Sequence, residues 1–316
     1  MTEKKFWQGT KCLITGGAGF LGTKLTNRLH DLGAETQVIR SDDFDLRNAE
    51  RTHKAFRIRW GAEGPDIVFH LAATVGGIGA TDKYAGRYFY DNAMMGLNIV
   101  ESCRIFGVNK LVVAGSVCAY PKYGPPTMNE KNLWNGKPED TNAPYGISKR
   151  AILAMQQAYY KQYNLKSAHI LQANLYGPGD DFSDETSHVI PALIKRFWNA
   201  ACNDEPEVVV WGTGTPTRDF LYAQDAVEAY ILAAERTSIP DPINIGTGHA
   251  TSIAFIAERI KEFVEYKGEI VYDKTRPDGQ KHRQLQISRA RDVLGWKPTT
   301  TIMDGLKETV AWYISK

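Results

Sequence analysis

Short apolar runs alternate with longer amphipathic segments along the first half of the chain. Residues 111–114 are apolar at consecutive positions, which indicates a strand covered by helices on both faces of its sheet. Strands that alternate with helices form parallel sheets joined by crossover helices. The pattern therefore predicts an α/β fold with a Rossmann-type doubly wound parallel sheet. Its strands are predicted at residues 11–15, 35–40, 66–70, 110–115 and 166–171.

The pattern becomes less regular after about residue 173. Glycine and proline mark turns at 177–181 and 212–216, on either side of a helix predicted over 187–201. A helix over 225–236 and a short strand at 244–245 predict that the chain then returns to the large sheet. We therefore expect a Rossmann domain and a smaller C-terminal α/β lobe. Their predicted bounds are 1–172 with 219–246, and 173–218 with 247–316.

Composition and charge exclude several classes of protein. Apolar residues make up 43% and charged residues 23% of the chain, which is typical of a globular protein. The formal net charge of +2, without a basic cluster, argues against a nucleic acid partner. No apolar signal segment or bilayer-spanning run occurs, so we expect no membrane partner. The four cysteines form no Cys-x-x-Cys pair, which argues against zinc and disulfides and favours a cytoplasmic location.

A glycine-rich turn separates the first predicted strand from a helix predicted over 23–32. Gly16 suits the tight turn, Gly19 lets the backbone approach a pyrophosphate, and Gly22 allows close packing of helix on strand. The phosphates would lie at the helix N-terminus, where free amide groups and the helix dipole favour negative charge. The turn therefore predicts a dinucleotide cofactor.

The end of the second predicted strand indicates which dinucleotide is bound. An acidic residue there would bind the ribose 2′-hydroxyl of NAD, but this strand ends with Arg40 and Ser41. A guanidinium can bind a 2′-phosphate through two hydrogen bonds. Asp42 and Asp43 follow directly and oppose this preference, and Arg40 could equally be a solvated strand-end residue. We favour NADPH and expect residues 45–46 to lie beside its adenine.

Tyr145 and Lys149 stand four positions apart at the start of a predicted helix, which Thr141 or Asn142 could cap. Both side chains would share one helical face, where the ammonium should favour the phenolate form of the tyrosine. Ser116 follows the fourth strand, and ligands of open α/β sheets bind at that carboxyl edge. The three residues predict proton transfer to a substrate carbonyl, although a surface helix and a turn serine would look similar.

Several motifs extend this picture over nearly the whole chain. The broader ones are Gly16-x-x-Gly19-x-x-Gly22, His70-Leu71-Ala72-Ala73, Ser116, Tyr145-x-x-x-Lys149 and Arg218-Asp219-Phe220. The narrower ones are Val75-Gly76-Gly77-Ile78, Tyr90-Asp91-Asn92, Cys118-x-Tyr120-Pro121-Lys122, Asn174 to Asp180, Ser187 to Leu193, Val208 to Gly212 and Pro277-Asp278-Gly279. The first set resembles the extended short-chain dehydrogenase/reductases, and the second resembles the GDP-L-fucose synthase family.

The resemblance implies a bifunctional enzyme. It would epimerise GDP-4-keto-6-deoxy-D-mannose at C3 and C5 and then reduce the C4 ketone with NADPH, giving GDP-L-fucose. Both epimerised carbons lie next to the ketone, so loss of either proton gives an enolate that Ser116 and Tyr145 could stabilise. From the residues alone, Cys118 would be a packing residue and His188 a helix-start residue. The resemblance instead implies that they are the proton-transfer pair.

The resemblance also implies the remaining contacts. The catalytic set is Ser116, Cys118, Tyr145, Lys149 and His188. The NADPH contacts are Gly16, Gly17, Ala18, Gly19, Phe20, Leu21, Gly22, Arg40, Ser41, Asp45, Leu46, Leu71, Ala72, Ala73, Ala114, Gly115, Lys149, Asn174, Leu175 and His188. The contacts with the GDP-sugar are Asn174, Arg196, Trp211, Arg218 and Asp278. A homodimer is implied too, through predicted helices at 84–106 and 145–163. No metal is expected.

Two other functions fit parts of the pattern. An NAD-dependent nucleotide-sugar 4-epimerase, or a plain 4-keto reductase, would need Tyr145 but neither Cys118 nor His188. A dinucleotide-sensing regulator would need no intact Tyr145 and Lys149. The chain departs from the family at Arg283, where a lysine is usual, and at Gln286, where an aspartate is usual.

Overall fold

The computed structural model describes residues 4–76, 83–184, 186–276 and 278–316. Strands and helices alternate over the first half of the chain. The strands are β1 Lys11–Thr15, β2 Glu35–Ile39, β3 Ile67–His70, β4 Lys110–Ala114, β5 Thr127–Met128, β6 Ser167–Gln172, β7 Asn174–Tyr176, β8 Glu207–Trp211, β9 Thr217–Arg218, β10 Phe220–Tyr222, β11 Pro242–Ile245, β12 Thr251–Ser252, β13 Glu269–Asp273 and β14 His282–Leu285. The helices are α1 Lys4–Trp7, α2 Phe20–Asp31, α3 Ala49–Arg57, α4 Ala85–Ile105, α5 Ala143–Tyr163, α6 Val189–Cys202, α7 Ala223–Arg236, α8 Ile253–Phe263 and α9 Ile302–Ile314.

The largest sheet of the described chain is parallel and has six strands, in the order β11-β6-β4-β3-β1-β2. Every residue of β3 and β4 is buried, as expected of strands covered on both faces. Leu25 of α2 and Val227 of α7 belong to the core on one face. Ile99 of α4 and Ile152 of α5 belong to the core on the other. The predicted doubly wound sheet is confirmed.

A second hydrophobic core lies outside this sheet. It includes Leu193 of α6, Ile256 of α8 and Leu306 of α9, and its partly buried margin includes Ile270 of the parallel pair β8–β13. Leu294 and its neighbours, in a π-helical turn at Ala290–Leu294, pack instead into the core of the large sheet. The predicted division of the chain into two lobes remains a prediction.

Each predicted strand of the large sheet agrees with the structure to within one residue, apart from the 244–245 strand, which begins two residues earlier in β11. The helix predicted over 187–201 begins at Val189, because His188 has extended backbone angles. No helix among the described residues is both long and apolar enough to cross a bilayer. All four cysteines have free thiols.

Candidate active site

The glycine turn has the geometry that a pyrophosphate cradle requires. Gly16 has a φ of +70°, and a Cβ there would lie 2.7 Å from the amide nitrogen of Ala72. A Cβ at Gly22 would lie 2.1 Å from the carbonyl oxygen of Gly16, so helix α2 packs directly on the turn. Gly19 is the N-cap of α2 and offers no side chain to its amide groups. The first amides of α2 can therefore receive an anion.

The other predicted residues of this loop divide by burial. Ala18 is exposed at its tip, Phe20 is partly exposed, and Gly17 and Leu21 are buried. A Cβ at Gly17 would lie 2.8 Å from the side chain of Val38, which explains the absence of a larger residue. Backbone approach is thus possible along the exposed side of the turn.

Arg40 and Ser41 lie exposed just beyond the end of β2. The described part of the chain contains no ion pair between Arg40 and Asp42 or Asp43, although both acids are adjacent. The guanidinium can therefore reach a phosphate at this strand end.

Asp45 and Leu46 are held by contacts that the sequence did not reveal. Arg47 donates from Nε to Oδ1 of Asp45 over 2.8 Å and from a terminal nitrogen to Oδ1 of Asp91 over 3.0 Å. The hydrogen bond from Arg47 to Asp45 holds the pKa of Asp45 below its usual range. Leu46 is buried, and its carbonyl accepts from Nδ2 of Asn98 over 2.9 Å. Contact of either residue with adenine remains a prediction.

The carboxyl ends of neighbouring strands bring several predicted residues to one edge of the sheet. Leu71, Ala72 and Ala73 follow β3, and the amide of Ala72 donates to Oγ1 of Thr15 over 3.3 Å. Buried Ala114 ends β4, and a Cβ on the next residue, Gly115, would lie 2.6 Å from Nε2 of His169. Of the family motif at 75–78, residues 77 and 78 lie outside the described residues.

Ser116, Tyr145 and Lys149 come together at this edge. The Ser116 hydroxyl accepts from the amide of Cys118 over 3.1 Å and hydrogen-bonds the phenol of Tyr145. Nζ of Lys149 lies 5.6 Å from the centroid of the Tyr145 ring. Asn142 is the N-cap of α5, but its side chain makes no capping hydrogen bond. Helical spacing thus places Tyr145 and Lys149 together without a side-chain cap.

The expected lowering of the Tyr145 pKa by Lys149 is wrong. Burial raises the pKa of Tyr145 above its usual range, Cys118 adds to the rise, and the hydrogen bond from Ser116 opposes it. The ammonium lies over the ring, and desolvation of a phenolate outweighs its attraction. Tyr145 is therefore protonated and can donate a proton.

Two buried histidines adjoin Lys149. Burial lowers the pKa of Lys149 to about 8. Burial, reinforced by the charge of Lys149, lowers the pKa of both His70 and His169 to about 3. Nδ1 of His70 lies 2.8 Å from Oγ1 of Thr15, and Nδ1 of His169 lies 2.7 Å from Oε1 of Gln156. Both imidazoles are neutral, so Lys149 supplies the positive charge in this group.

Cys118 lies beside two guanidinium groups as well as Tyr145. It is partly exposed in a 3-10 turn at Val117–Ala119. Arg218 and Arg283 are paired in register between β9 and β14. Burial lowers the pKa of both guanidiniums, and the nearby Cys118 opposes that shift. Arg283 is only 7% exposed, and one of its terminal nitrogens has no hydrogen-bond partner in the described chain. The arrangement concentrates positive charge near the thiol.

His188 is the exposed N-cap residue of α6, and its side chain makes no capping hydrogen bond. Partial desolvation lowers the pKa of its imidazole, and Asp181 opposes that shift. No hydrogen bond joins His188 to Cys118 or Tyr145 within the described residues. Its imidazole is therefore available to an incoming substrate.

Trp211 at the end of β8 is 58% exposed, so it does not serve as a core anchor. The guanidiniums of Arg196 and Arg276 lie 5.2 Å and 5.1 Å from its ring centroid. Arg196 also donates to the carbonyl of Val209 over 3.2 Å. Sequence reasoning missed Arg276, whose only signal is its position next to the Pro-Asp-Gly motif. The two guanidiniums can bind a diphosphate, and the indole can pack against a ring.

Asp278 and Arg218 make bonds within the protein. The carboxylate of Asp278 accepts from the amide of Thr213 over 2.6 Å and from its hydroxyl over 2.9 Å. Arg218 donates to the carbonyls of Thr217 and Gln280 over 2.9 Å and 2.6 Å. Residue 277, the proline of the same motif, lies outside the described residues. Asp278 thus anchors a loop, and its contact with substrate remains a prediction.

Asn174 and Leu175 lie on β7, which pairs in parallel with β10. Nδ2 of Asn174 donates to the carbonyl of Asp219 over 3.0 Å. The sequence does not indicate the structural role of Asp219, which is 1% exposed. Its carboxylate accepts from the amides of Thr247 and Gly248 over 2.8 Å and 3.1 Å. This carboxylate joins β10 to the loop after β11.

Residues 12–246 match the sequence profile of the NAD dependent epimerase/dehydratase family. This segment contains the glycine turn, the serine, the tyrosine–lysine pair and Cys118. The chain belongs to the NAD dependent epimerase/dehydratase family.

The similarity to known relatives and solved structures extends over nearly the whole chain. A GDP-L-fucose synthase of Escherichia coli K12 is 36% identical over 314 residues, with 96% of each chain covered. A GDP-6-OMe-4-keto-L-xylo-heptose reductase from C. jejuni has a TM-score of 0.90 at 27% identity, covering 97% of this chain and 98% of that one. A GDP-L-fucose synthetase from Naegleria fowleri bound to NADP has a TM-score of 0.88 at 28% identity, and the match covers 98% of this chain and 93% of that one.

Proposed function

We propose that this family member converts GDP-4-keto-6-deoxy-D-mannose to GDP-L-fucose by 3,5-epimerisation and NADPH-dependent 4-keto reduction. The observation that carries the proposal is the position of Cys118, a partly exposed thiol next to Tyr145 and Ser116. A simple ketone reduction needs no thiol there. The sequence similarity to GDP-L-fucose synthase supports the same conclusion.

Each proton transfer can be assigned to a residue. Cys118 and His188 exchange protons at C3 and C5, while Ser116 and Tyr145 hydrogen-bond the C4 oxygen and stabilise the enolate. When bound along the glycine turn, NADPH would supply the hydride for reduction at C4. Tyr145, which burial keeps protonated, then donates its proton to the C4 oxygen. Lys149 compensates the charge left on the phenolate.

Three arginines, two exposed and one half-buried, suit the cofactor and the nucleotide. Arg40 stands at the end of β2 without an ion pair to the adjacent acids, which suits the 2′-phosphate of NADPH. The related Naegleria structure contains NADP. Arg196 and Arg276 beside Trp211 suit the diphosphate and an adjoining ring of GDP.

The first test is incubation of the purified protein with GDP-4-keto-6-deoxy-D-mannose and NADPH or NADH, with the product sugar identified by NMR. We expect oxidation of NADPH in preference to NADH and an L-galacto product. The decisive variant is Cys118→Ser, which should still oxidise NADPH but lose inversion at C3 and C5. Cys202→Ser is the matched control, because it removes an exposed thiol from the end of α6. Unchanged product and rate in Cys118→Ser would refute the epimerase role.

A second candidate is a GDP-sugar 4-keto reductase without epimerisation. The C. jejuni heptose reductase has the TM-score of 0.90, and Arg283 replaces a lysine that is usual among GDP-L-fucose synthases. A product of unchanged configuration at C3 and C5 would favour this candidate. Absence of turnover with either cofactor would point to a different nucleotide sugar.

A homodimer and a cytoplasmic location complete the proposal. Helices α4 and α5 pack against each other and leave apolar side chains exposed, including Tyr90 at 56%, Tyr163 at 45% and Ile147 at 39%. Pairing of these helices with those of a second copy would bury the exposed residues. Sedimentation as a monomer at micromolar concentration would contradict it. The free thiols suit a reducing compartment.

A further inference from the structure

A cavity lies at the opposite edge of the large sheet from the candidate active site. Its volume is about 420 Å³, within the range of small-molecule sites. Thr10, Asp66 and Lys166 directly precede β1, β3 and β6, and Lys110 begins β4. Ser116 follows the other end of β4, and five strand residues separate the two edges by roughly 15 Å. The cavity is therefore distinct from the catalytic site.

Lys110 is the unusual residue of this cavity. It is 6% exposed, and its ammonium has no hydrogen bond or ion pair with any residue that the structure describes. Burial, together with the charge of nearby Lys166, lowers the pKa of Lys110 to about 8. Lysines are almost never so buried without a partner, because desolvation of an unpaired charge is costly. An anion between the two lysines would relieve both the desolvation and the repulsion.

The two carboxylates of the cavity do not meet this need. Oδ2 of Asp66 accepts from the backbone amide of Lys11 over 2.9 Å. Oε1 of Glu235 accepts from the indole nitrogen of Trp7 over 2.6 Å. A carboxylate can accept several hydrogen bonds, so Asp66 can also accept from hydroxyl groups of a ligand. Phe6, which is 40% exposed, adds an apolar surface at the same cavity.

We propose that this cavity binds a phosphorylated monosaccharide. The phosphate lies between Lys110 and Lys166, a sugar hydroxyl donates to Asp66, and the aromatic ring of Phe6 covers an apolar face of the sugar. The site involves no residue of the proposed catalytic machinery, so the proposal stands independently of the reaction.

Calorimetric titration of the full chain tests this, with glucose 6-phosphate, inorganic phosphate and glucose as probes at matched ionic strength. We expect saturable binding of the sugar phosphate, weaker binding of inorganic phosphate, and no binding of glucose. Lys110→Met should weaken sugar phosphate binding at least about tenfold, since a charge-assisted hydrogen bond is lost. The control Lys267→Met removes an exposed lysine that does not line the cavity and should leave binding unchanged. Turnover should be unaffected in both variants.

A second measurement needs no variant, so it tests sugar phosphate binding at Lys110 even if Lys110→Met fails to fold. Trace acetylation of the wild-type protein, read by peptide mass spectrometry, should modify Lys110, and glucose 6-phosphate should protect it. Equal affinity in Lys110→Met, absence of protection, or no binding at millimolar concentration would overturn the proposal. Displacement of the sugar phosphate by GDP would also overturn it, because the ligand would then occupy the nucleotide site.

Discussion

Replacement of Gly22 by alanine tests whether the contact between α2 and the glycine turn determines cofactor binding. The added Cβ would lie 2.1 Å from the carbonyl oxygen of Gly16 and 2.6 Å from Cα of Gly17, whereas ordinary contacts begin at 3.4 Å. The oxygen cannot rotate away without losing the hydrogen bond that it accepts from the amide of Gly19 over 3.0 Å. Helix α2 must therefore withdraw from β1 by about 1 Å, which overpacked sites resist at a cost of about 1–3 kcal/mol.

The same displacement moves the amides that should bind the pyrophosphate. We expect Gly22→Ala to lower the melting temperature by about 3–10 °C and to weaken NADPH binding at least about tenfold. Differential scanning calorimetry and titration of NADPH fluorescence measure the two effects.

The matched control is Gly86→Ala, because Gly86 is an exposed glycine in the first turn of α4 with no atom within 4 Å of an added Cβ. It should be neutral or stabilising by up to about 1 kcal/mol. Wild-type stability and NADPH affinity in Gly22→Ala would show that the helix does not depend on this contact.

Three further predictions follow from buried groups. Tyr145→Phe should slow reduction by about 10²–10⁴-fold while NADPH still binds, since only the proton donor is lost; steady-state rates of NADPH oxidation and NADPH titration measure this. Asp219→Ala should destabilise the protein by about 3 kcal/mol or more, because the amides of Thr247 and Gly248 lose their acceptor, and urea denaturation would reveal a smaller loss. Folded Lys149 and Lys110 titrate at about 8 instead of 10.5, so they release protons that the unfolded chain still binds. Each lysine should therefore add about 3 kcal/mol to the free energy of unfolding between about pH 8 and 10.5. Burial raises the pKa of Cys12 and Cys103, which opposes the rise equally in wild type and variant, so the difference between wild type and Lys149→Met should change by about 3 kcal/mol over this range.

The sequence predicts those features of the fold that depend on neighbouring residues. Strands such as β1 and β4 are continuous apolar runs, and burial on both faces follows from that composition. The positions of Tyr145 and Lys149 follow from helical spacing, and that of Ser116 from the end of a strand. These are local patterns, and the structure preserves them.

Contacts between distant residues could not be predicted in this way. The carboxylate of Asp278 binds Thr213, 65 positions earlier in the chain, and neither segment indicates this bond. His169 and Gln156 lie on different elements, and nothing in either segment indicates that they form a hydrogen bond beside Lys149. The raised pKa of Tyr145 depends on the depth of its burial, which helical spacing does not specify.

The position of β11 at the edge of the large sheet has a consequence for biosynthesis. Its partner β6 ends at residue 172, yet β11 begins at residue 242, after α6 and β8 to β10 have been made. The chain emerges from the ribosome N-terminus first. The edge of the sheet at β6 therefore stays unpaired until about three quarters of the protein has been synthesised. An unpaired strand edge is prone to association with other chains. The nascent chain should therefore be most vulnerable to aggregation in this interval, and most dependent on chaperones that cover β6.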